Sequence, residues 1–321
     1  MNLKFKIMEN KIHLWPKGRL KLINIFTPNL YSSQYVENIL RKRFKNQGHP
    51  ILVSSGRVAI TLFLISLNLK KNDKVRLFPF ASHCVKEAVL RVCIPSYKAK
   101  ISKNLVNIVY HQYGFINKNK TKGKIFEDAV DSLVKKNGKI FNSGGDFEVW
   151  SLNKILGSFG GAILWCKNKQ VANKIKSIRE KRKNYTNISW LLKLLSCNIN
   201  SLNSLWYTIE TYGGPVPKWA LNQIVSDINT WDKLIKDRKK KLYIFKDLIP
   251  KWAQINQSRL PCALPVEISS KKISHIKKLG MKYGERHFLT NNNKLKKVFL
   301  ISIHQDVSLT TLEKIKKILD D

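Results

Sequence analysis

Four short stretches of the 321-residue chain hold side chains able to do chemistry together. Lys154 stands in WSLNKILGSFGG, among small residues and between two apolar runs. A lysine in a mostly buried setting has a lowered pKa, and its free amine can form a Schiff base with a carbonyl cofactor. The opposing reading is a surface lysine, the default for one Lys in a chain with 59 Lys and Arg. Asp128 ends the run KIFED. A carboxylate at the end of a buried strand can hold a pyridinium nitrogen protonated through a charge-assisted hydrogen bond, or can simply be an acid at a helix start. The SSGR turn at 54–57 would leave free backbone N–H groups at a helix N-terminus, which favour a phosphate. His83, in FASHC, is either an aromatic face for a flat cofactor or a structural residue.

These residues need a scaffold that brings them together, and the pattern of apolar runs supplies one. After a polar, basic arm with breakers at Pro16 and Pro28, a helix is expected near Ser33–Lys45. ILVSS at 51–55 reads as a strand, and GRVAITLFLISLNL has helical length. KVRLFPF (74–80), NIVYHQY (107–113), GKIFEDAV (123–130), FEVWSLNK (147–154) and GGAILWCK (160–167) read as further strands, with a helix at 85–93. Short apolar runs spaced by helices and loops imply a mostly parallel sheet flanked by helices. Such sheets bind ligands at the carboxyl ends of their strands, where Ser55, His83, Asp128 and Lys154 all fall. The second half predicts long helices at 170–183 and 217–248, then a strand at 261–268, a helix ending near Gly280, a strand at 298–304 and a closing helix at 308–319. This is an α/β chain with a large domain over 1–205, including an arm to about residue 32, and a small C-terminal α/β domain over 206–321 that includes the inter-domain helix.

Composition narrows the class. A hydrophobic content of 43% is ample for a core and too high for a disordered basic tail. The formal charge of +38 is spread along the chain, including 118–124, 174–183, 236–241 and 293–298. A nucleic-acid binder more often concentrates charge on one arm or helix with interleaved aromatics. A solvated basic surface is the plain reading, and a field that attracts polyanions is the functional one. The five cysteines (Cys84, Cys93, Cys166, Cys197, Cys262) form no CxxC pair, so neither a disulfide framework nor a metal site is expected. The longest apolar stretch, Ala59–Leu69, is about half of the roughly 20 residues that span a membrane, and the N-terminus has no secretory h-region. A cytoplasmic protein is expected.

The order of the motifs adds a resemblance. SSGRVAI, VYHQYG, FEDAVDS, SLNKILGSFGGAIL, the helix QIVSDINTWDKLIKDRKKKLYIF with Arg238, and FLISIHQDVSLTTLEKIKKIL follow one another as related segments do in the DegT/DnrJ/StrS family of sugar aminotransferases. The chain resembles that family over roughly residues 33–321. The resemblance implies the type I PLP-dependent transferase fold, that of aspartate aminotransferase, with pyridoxal 5'-phosphate as cofactor. It implies an aminotransferase that moves an amino group from glutamate to a nucleotide-linked keto-sugar, for surface polysaccharide or modified-sugar biosynthesis, and a homodimer with no specific nucleic-acid partner.

By the same resemblance, Lys154 bonds the cofactor covalently and Asp128 faces its pyridine nitrogen. The turn Ser55, Gly56, Arg57 and Val58 binds its phosphate, His83 matches the region that stacks on its ring, and Asp131 lies by its phenolic oxygen. Three departures stand out: Arg57 for Thr, Asp131 for Gln, and Val149 for a phosphate-binding Ser whose place Ser151 can take. The alternatives are a protein of the same fold without transaminase activity (a sugar dehydratase or a degenerate regulator) and a basic nucleic-acid-binding protein. In the dehydratase branch the lysine is replaced by His, so the retained Lys154 argues against it.

Overall fold

A computed structural model describes residues 11–21, 27–79, 81–98, 105–117, 123–196, 199, 201–251, 253, 258–281, 284–290 and 294–321. Cys197 and most of the basic run at 118–124 lie outside these residues. The described chain opens with helix α1 (Ser33–Arg43), whose first turn is capped by the Ser32 hydroxyl accepting from the Tyr35 N–H at 3.1 Å. Strand β1 (His49–Val53) leads into α2 (Gly56–Ser66), followed by β2 (Lys74–Leu77), α3 (His83–Leu90), β3 (Ile94–Ser96), β4 (Val106–Tyr110), β5 (Lys124–Asp128) and the short β6 (Leu133–Val134). Then come β7 (Phe147–Ser151), the short helix α4 (Leu152–Leu156), β8 (Ala162–Cys166) and helices α5 (Lys169–Glu180), α6 (Lys183–Leu195) and α7 (Leu202–Glu210).

Seven of these strands form one sheet in the order β1-β8-β7-β5-β4-β2-β3. All its pairings are parallel except those of β8, which runs antiparallel to both neighbours. The reason is the length of the connection. Residues 152–161 are too few for the crossover of a dozen or more that a parallel neighbour needs, so β8 returns antiparallel beside β7. Because β8 reverses twice over, β1 again points the same way as β7. The carboxyl ends of β1, β2, β4, β5 and β7 therefore share one edge of the sheet. Apolar clusters cover both faces: Phe126, Phe147, Val149 and Leu164 pack against α2 on one, and Trp150, Trp165 and Phe44 against Trp231 on the other.

The chain continues through α8 (Leu221–Asn229) and α9 (Trp231–Ile244), then β9 (Arg259–Leu260), β10 (Ala263–Val266), α10 (Ser270–Lys278), β11 (Glu285–Leu289), β12 (Leu295–Ser302) and α11 (Leu309–Asp320). Strands β10, β12 and β11 form a second, antiparallel sheet with its own apolar cluster. Ser308 caps α11, its hydroxyl accepting from the Thr311 N–H at 3.1 Å.

The sheet agrees with the sequence expectation, and several details correct it. The single helix expected over 217–248 is two, α8 and α9, meeting at Thr230. FEVWSLNK is not extended to its end: the strand stops at Ser151 and Lys154 rides on α4. KVRLFPF is extended only to Leu77 and NIVYHQY only to Tyr110. The α6–α7 hairpin and strands β3 and β11 were not anticipated at all. No helix among the described residues is long and apolar enough to cross a membrane.

Candidate active site

The shared edge of the large sheet gathers most of the singled-out residues. Asp128 is the last residue of β5, and it is buried at 4% exposure. Among the described residues, its Oδ1 accepts only a long hydrogen bond from the Val130 N–H, at 3.3 Å. Burial pushes its carboxyl up to about 7, and the Asp131 carboxylate adds to that while the Lys154 amine opposes it. A buried acid so poorly supplied with donors fits a cationic N–H partner, such as a protonated pyridine nitrogen.

Lys154 is on α4, a helix of little more than one turn that Gly157 ends in the left-handed region at φ 76°. Its Nζ lies 3.1 Å from Asp131 Oδ1 and 4.2 Å from the centre of the Trp15 ring. Burial acts to lower its pKa, as the sequence reading expects, but Asp131 and Asp128 outweigh burial and the pKa is raised. The amine is therefore held as an ammonium between two carboxyls. Releasing it for bonding requires that charge to be exchanged for another cation at the same place, which suits a cofactor carrying its own protonated nitrogen.

Asp131 is fully buried and connects the cluster. It accepts from the Trp15 indole N–H at 2.7 Å and from the Tyr110 hydroxyl in a short hydrogen bond. Burial and then Asp131 raise the Tyr110 phenol well above its ordinary value, so Tyr110 stays a neutral donor. Neither Tyr110 nor Trp15 was singled out from sequence. Tyr110 had a detectable signal, as a residue inside the predicted strand 107–113; the observed strand ends on it, beside Asp128 in the sheet. Trp15 had none, because it lies 116 residues from its partner in an arm with no periodicity.

The turn after β1 builds the other end of the site. Ser55 caps α2, its hydroxyl accepting from the Val58 N–H at 3.3 Å, so that N–H is already engaged. The Gly56 and Arg57 N–H groups come before the first intrahelical acceptor and remain for an anion. A Cβ on Gly56 would meet nothing closer than Val130 at 3.5 Å, so packing within the chain does not demand glycine there. Arg57 does not offer its guanidinium to the turn. It forms a short ion pair with Glu210, donates to the Tyr207 carbonyl at 2.6 Å and stacks 3.5 Å over the Tyr207 ring. The side chain that replaces Thr thus fastens α7 to the start of α2.

Val58 and Val149 are fully buried in the core. Ser151, at the carboxyl end of β7 and half-buried, makes no capping hydrogen bond and is the hydroxyl nearest in sequence to the lysine helix. His83 is exposed and faces Glu87, with Nδ1 3.6 Å from the carboxylate; it is not brought into the Lys154 cluster. Its neighbour Cys84 is: the thiol accepts from the Tyr207 hydroxyl at 2.9 Å and acts electrostatically on Lys154. Arg238, on α9, is buried behind α4 with one N–H reaching the Ile155 carbonyl at 3.4 Å, and burial brings it down to about 10.

His111, Glu127 and Glu148 place their ligand atoms within 4.8 Å of one another on the opposite face of the sheet. Protein donors already engage this group. Glu127 accepts from His111, the Ser143 N–H and the Gly145 N–H, and Glu148 accepts from Arg259, Trp150 and the Phe141 N–H.

Comparison with known proteins supports the same chemistry. The fold is similar to that of the aminotransferase TlmJ from Streptoalloteichus hindustanus, at TM-score 0.63 and 11% identity over 96% of this chain and 98% of that one. It is similar to a sugar aminotransferase, Spr1654, from Streptococcus pneumoniae in its PLP form, at TM-score 0.64 and 11% identity over 95% and 98%. It is also similar to DesI, solved in the presence of its TDP-sugar product, at TM-score 0.61 and 10% identity over 97% and 92%. No curated protein sequence matches the chain. A family model described as "Putative PLP-dependent aminotransferase" matches residues 36–319, and the chain belongs to that family, the PLP-dependent aminotransferases.

Proposed function

We propose that this enzyme transfers an amino group from glutamate to a nucleotide-linked keto-sugar, in the making of a surface polysaccharide or a modified sugar. The observation that carries the reading is the Lys154 ammonium held 3.1 Å from Asp131 and beside the buried, donor-poor Asp128 at a sheet edge. Solved proteins of this fold at low identity include one crystallised with a TDP-sugar product. Pyridoxal phosphate, when bound, supplies an aldehyde carbon and a conjugated ring that accepts the electron pair left when a donor loses its α-proton.

The chain's own residues do the rest. Lys154 Nζ bonds the cofactor at rest and, once displaced, carries the proton from the donor's α-carbon. Asp128 keeps a positive charge on the ring nitrogen, which favours electron withdrawal. The Gly56 and Arg57 N–H groups and the Ser151 hydroxyl hold the phosphate. Asp131, with Tyr110, governs the charge beside the phenolic oxygen. His83 reaches a ring-stacking position only by turning from Glu87.

We read the chain as a large domain to residue 205 and a small one from 206, acting as a homodimer in the cytoplasm. Supporting the homodimer, α6 and α7 present Tyr185, Ile188, Leu191, Leu195 and Leu205 to solvent, a stripe that a second copy would cover. The purified protein given pyridoxal phosphate should gain a visible absorbance band that glutamate bleaches. Borohydride should fix the cofactor to a peptide containing Lys154, and Lys154→Ala should lose both the band and the adduct. An adduct on another lysine, or turnover surviving in Lys154→Ala, refutes the reading.

A further inference from the structure

The segment from Ile12 to Leu20 lies across the junction between the second sheet and the lysine helix. On one side, the Ile12 N–H donates to the Gly280 carbonyl at 3.0 Å, and the His13 carbonyl accepts from Ser302 at 3.1 Å and from His304 Nε2 at 2.9 Å. Leu14 is buried in the cluster of the second sheet. The Lys17 N–H and the Arg19 guanidinium both bond Asp306, at 2.7 and 2.6 Å. On the other side, the Arg19 N–H donates to the Gly157 carbonyl at 3.0 Å and the Arg19 carbonyl accepts from Gln223. Gly18 sits so close to α4 that a Cβ there would collide with the Asn153 side chain. The strap is thus pinned at both ends, and between the pins its one large aromatic faces the reactive amine.

We propose that Trp15 is a positioning residue: its indole N–H fixes the Asp131 carboxylate and its ring face covers the Lys154 ammonium, so that the strap sets how readily that amine becomes free. This rests on the proposed role of Lys154. Two contacts from one side chain act in opposite senses on the same proton. The N–H draws Asp131 charge away from Lys154, at 2.7 Å against 3.1 Å on the same oxygen, Oδ1. The ring face attracts the ammonium at 4.2 Å. Among the described residues, the other titratable groups acting on Lys154 are Asp128 from β5, Cys84 from α3 and Cys262 beside β10. None of these comes from the strap, so Trp15 is the strap's own lever on the amine.

The test uses the full-length chain without cofactor and a pulse of acetic anhydride at pH 8, reading acetylation of Lys154 against exposed Lys233 by peptide mass. Trp15→Phe keeps the ring and removes the donor, so Asp131 holds the ammonium harder and Lys154 should label about 3-fold more slowly than in the native chain. Trp15→Ala removes the ring as well and should label at least about 3-fold faster than Trp15→Phe. Native rates in both variants, or equal shifts of the same sign, overturn the proposal. Should the Ala variant fail to fold, Trp15→Phe decides alone, because it keeps an aromatic ring at the packed position. Cofactor trapped on a lysine other than Lys154 would refute the proposed function while leaving the labelling result readable.

Discussion

Glu127 and Asp128 are neighbours on β5, and their side chains point to opposite faces of the same sheet. Both are buried carboxyls, yet their settings differ. Burial alone would raise Glu127, but the hydrogen bond from His111 and those from the Ser143 and Gly145 N–H groups outweigh it, and its pKa is lowered. Beside it in register stands Glu148, paired with the fully buried Arg259 at 2.6 Å. On the other face Asp128 has one long backbone donor and is pushed up to about 7. A carboxyl supplied with donors by its own chain holds elements together. One left short of donors, at the edge where strands end, is prepared for a partner from outside.

The difference can be broken most forcefully at Asp128. Asp128→Asn should lower transamination on the order of 10³-fold, since a charge contact at the reacting ring is lost, while thermal stability stays at or above the native value. Steady-state rates on the reconstituted variant, with a melting curve beside them, check both halves. Glu148→Gln should do the reverse. Leaving Arg259 buried without its counter-charge costs about 3 kcal/mol of unfolding free energy in urea, with activity per folded molecule within a few-fold of native.

A subtler effect appears in the cofactor-free chain as pH varies. Asp128 has a raised pKa, so the folded state binds more protons than the unfolded one and stability is lost as pH rises from the ordinary value of 3.8 through about 7. Glu127 has a lowered pKa, so its contribution is complete above the ordinary value of 4.5 and is lost as pH falls below it. The native chain should therefore fall behind Asp128→Asn by about 3 kcal/mol between pH 4 and 7. Against Glu127→Gln its advantage should be constant above 4.5 and shrink as pH falls below it. Parallel slopes for the two variants would erase the distinction between the faces.

The smallest expected effect concerns the +38 charge. Raising salt through physiological strength should weaken the affinity for an anionic sugar nucleotide a few-fold, where screening acts over about 8 Å, and should leave cofactor retention nearly unchanged. A flat response in titrations of the sugar would assign the charge to composition.

What the sequence disclosed follows from the range of the forces involved. Strands β1, β5, β7 and β8 were legible because a short apolar run bounded by small or charged residues is a local signal. With the strands came the shared edge, and hence Ser55, Asp128 and Lys154. Asp131 entered through the resemblance, but its role as the point where Trp15, Tyr110 and Lys154 meet is a product of tertiary packing. His83 lacked any local sign that it would turn outward to Glu87. The break at Thr230 went unseen because apolar spacing continues across it from Ile228 to Trp231. The direction of the Lys154 pKa was misjudged for a similar reason: burial is suggested by neighbours in sequence, whereas the two carboxyls that outweigh it arrive by folding.

The strap also has a consequence for the order of assembly. Lys17 and Asp306 are 289 residues apart, and His13 and His304 are 291 apart. Synthesis releases the arm first, so its anchors at Ser302, His304 and Asp306 are made long after it, and after the Gly157 and Gln223 anchors on its other side. The large sheet, with Asp128, Asp131 and Lys154 in place, can form well before that. During this interval the strap lacks its second-sheet pins, and the contacts that fix it there close among the longest loops in the chain. A half-made molecule is therefore less firmly strapped than the finished one, in which Trp15 lies over Lys154 and still leaves 28% of that side chain exposed.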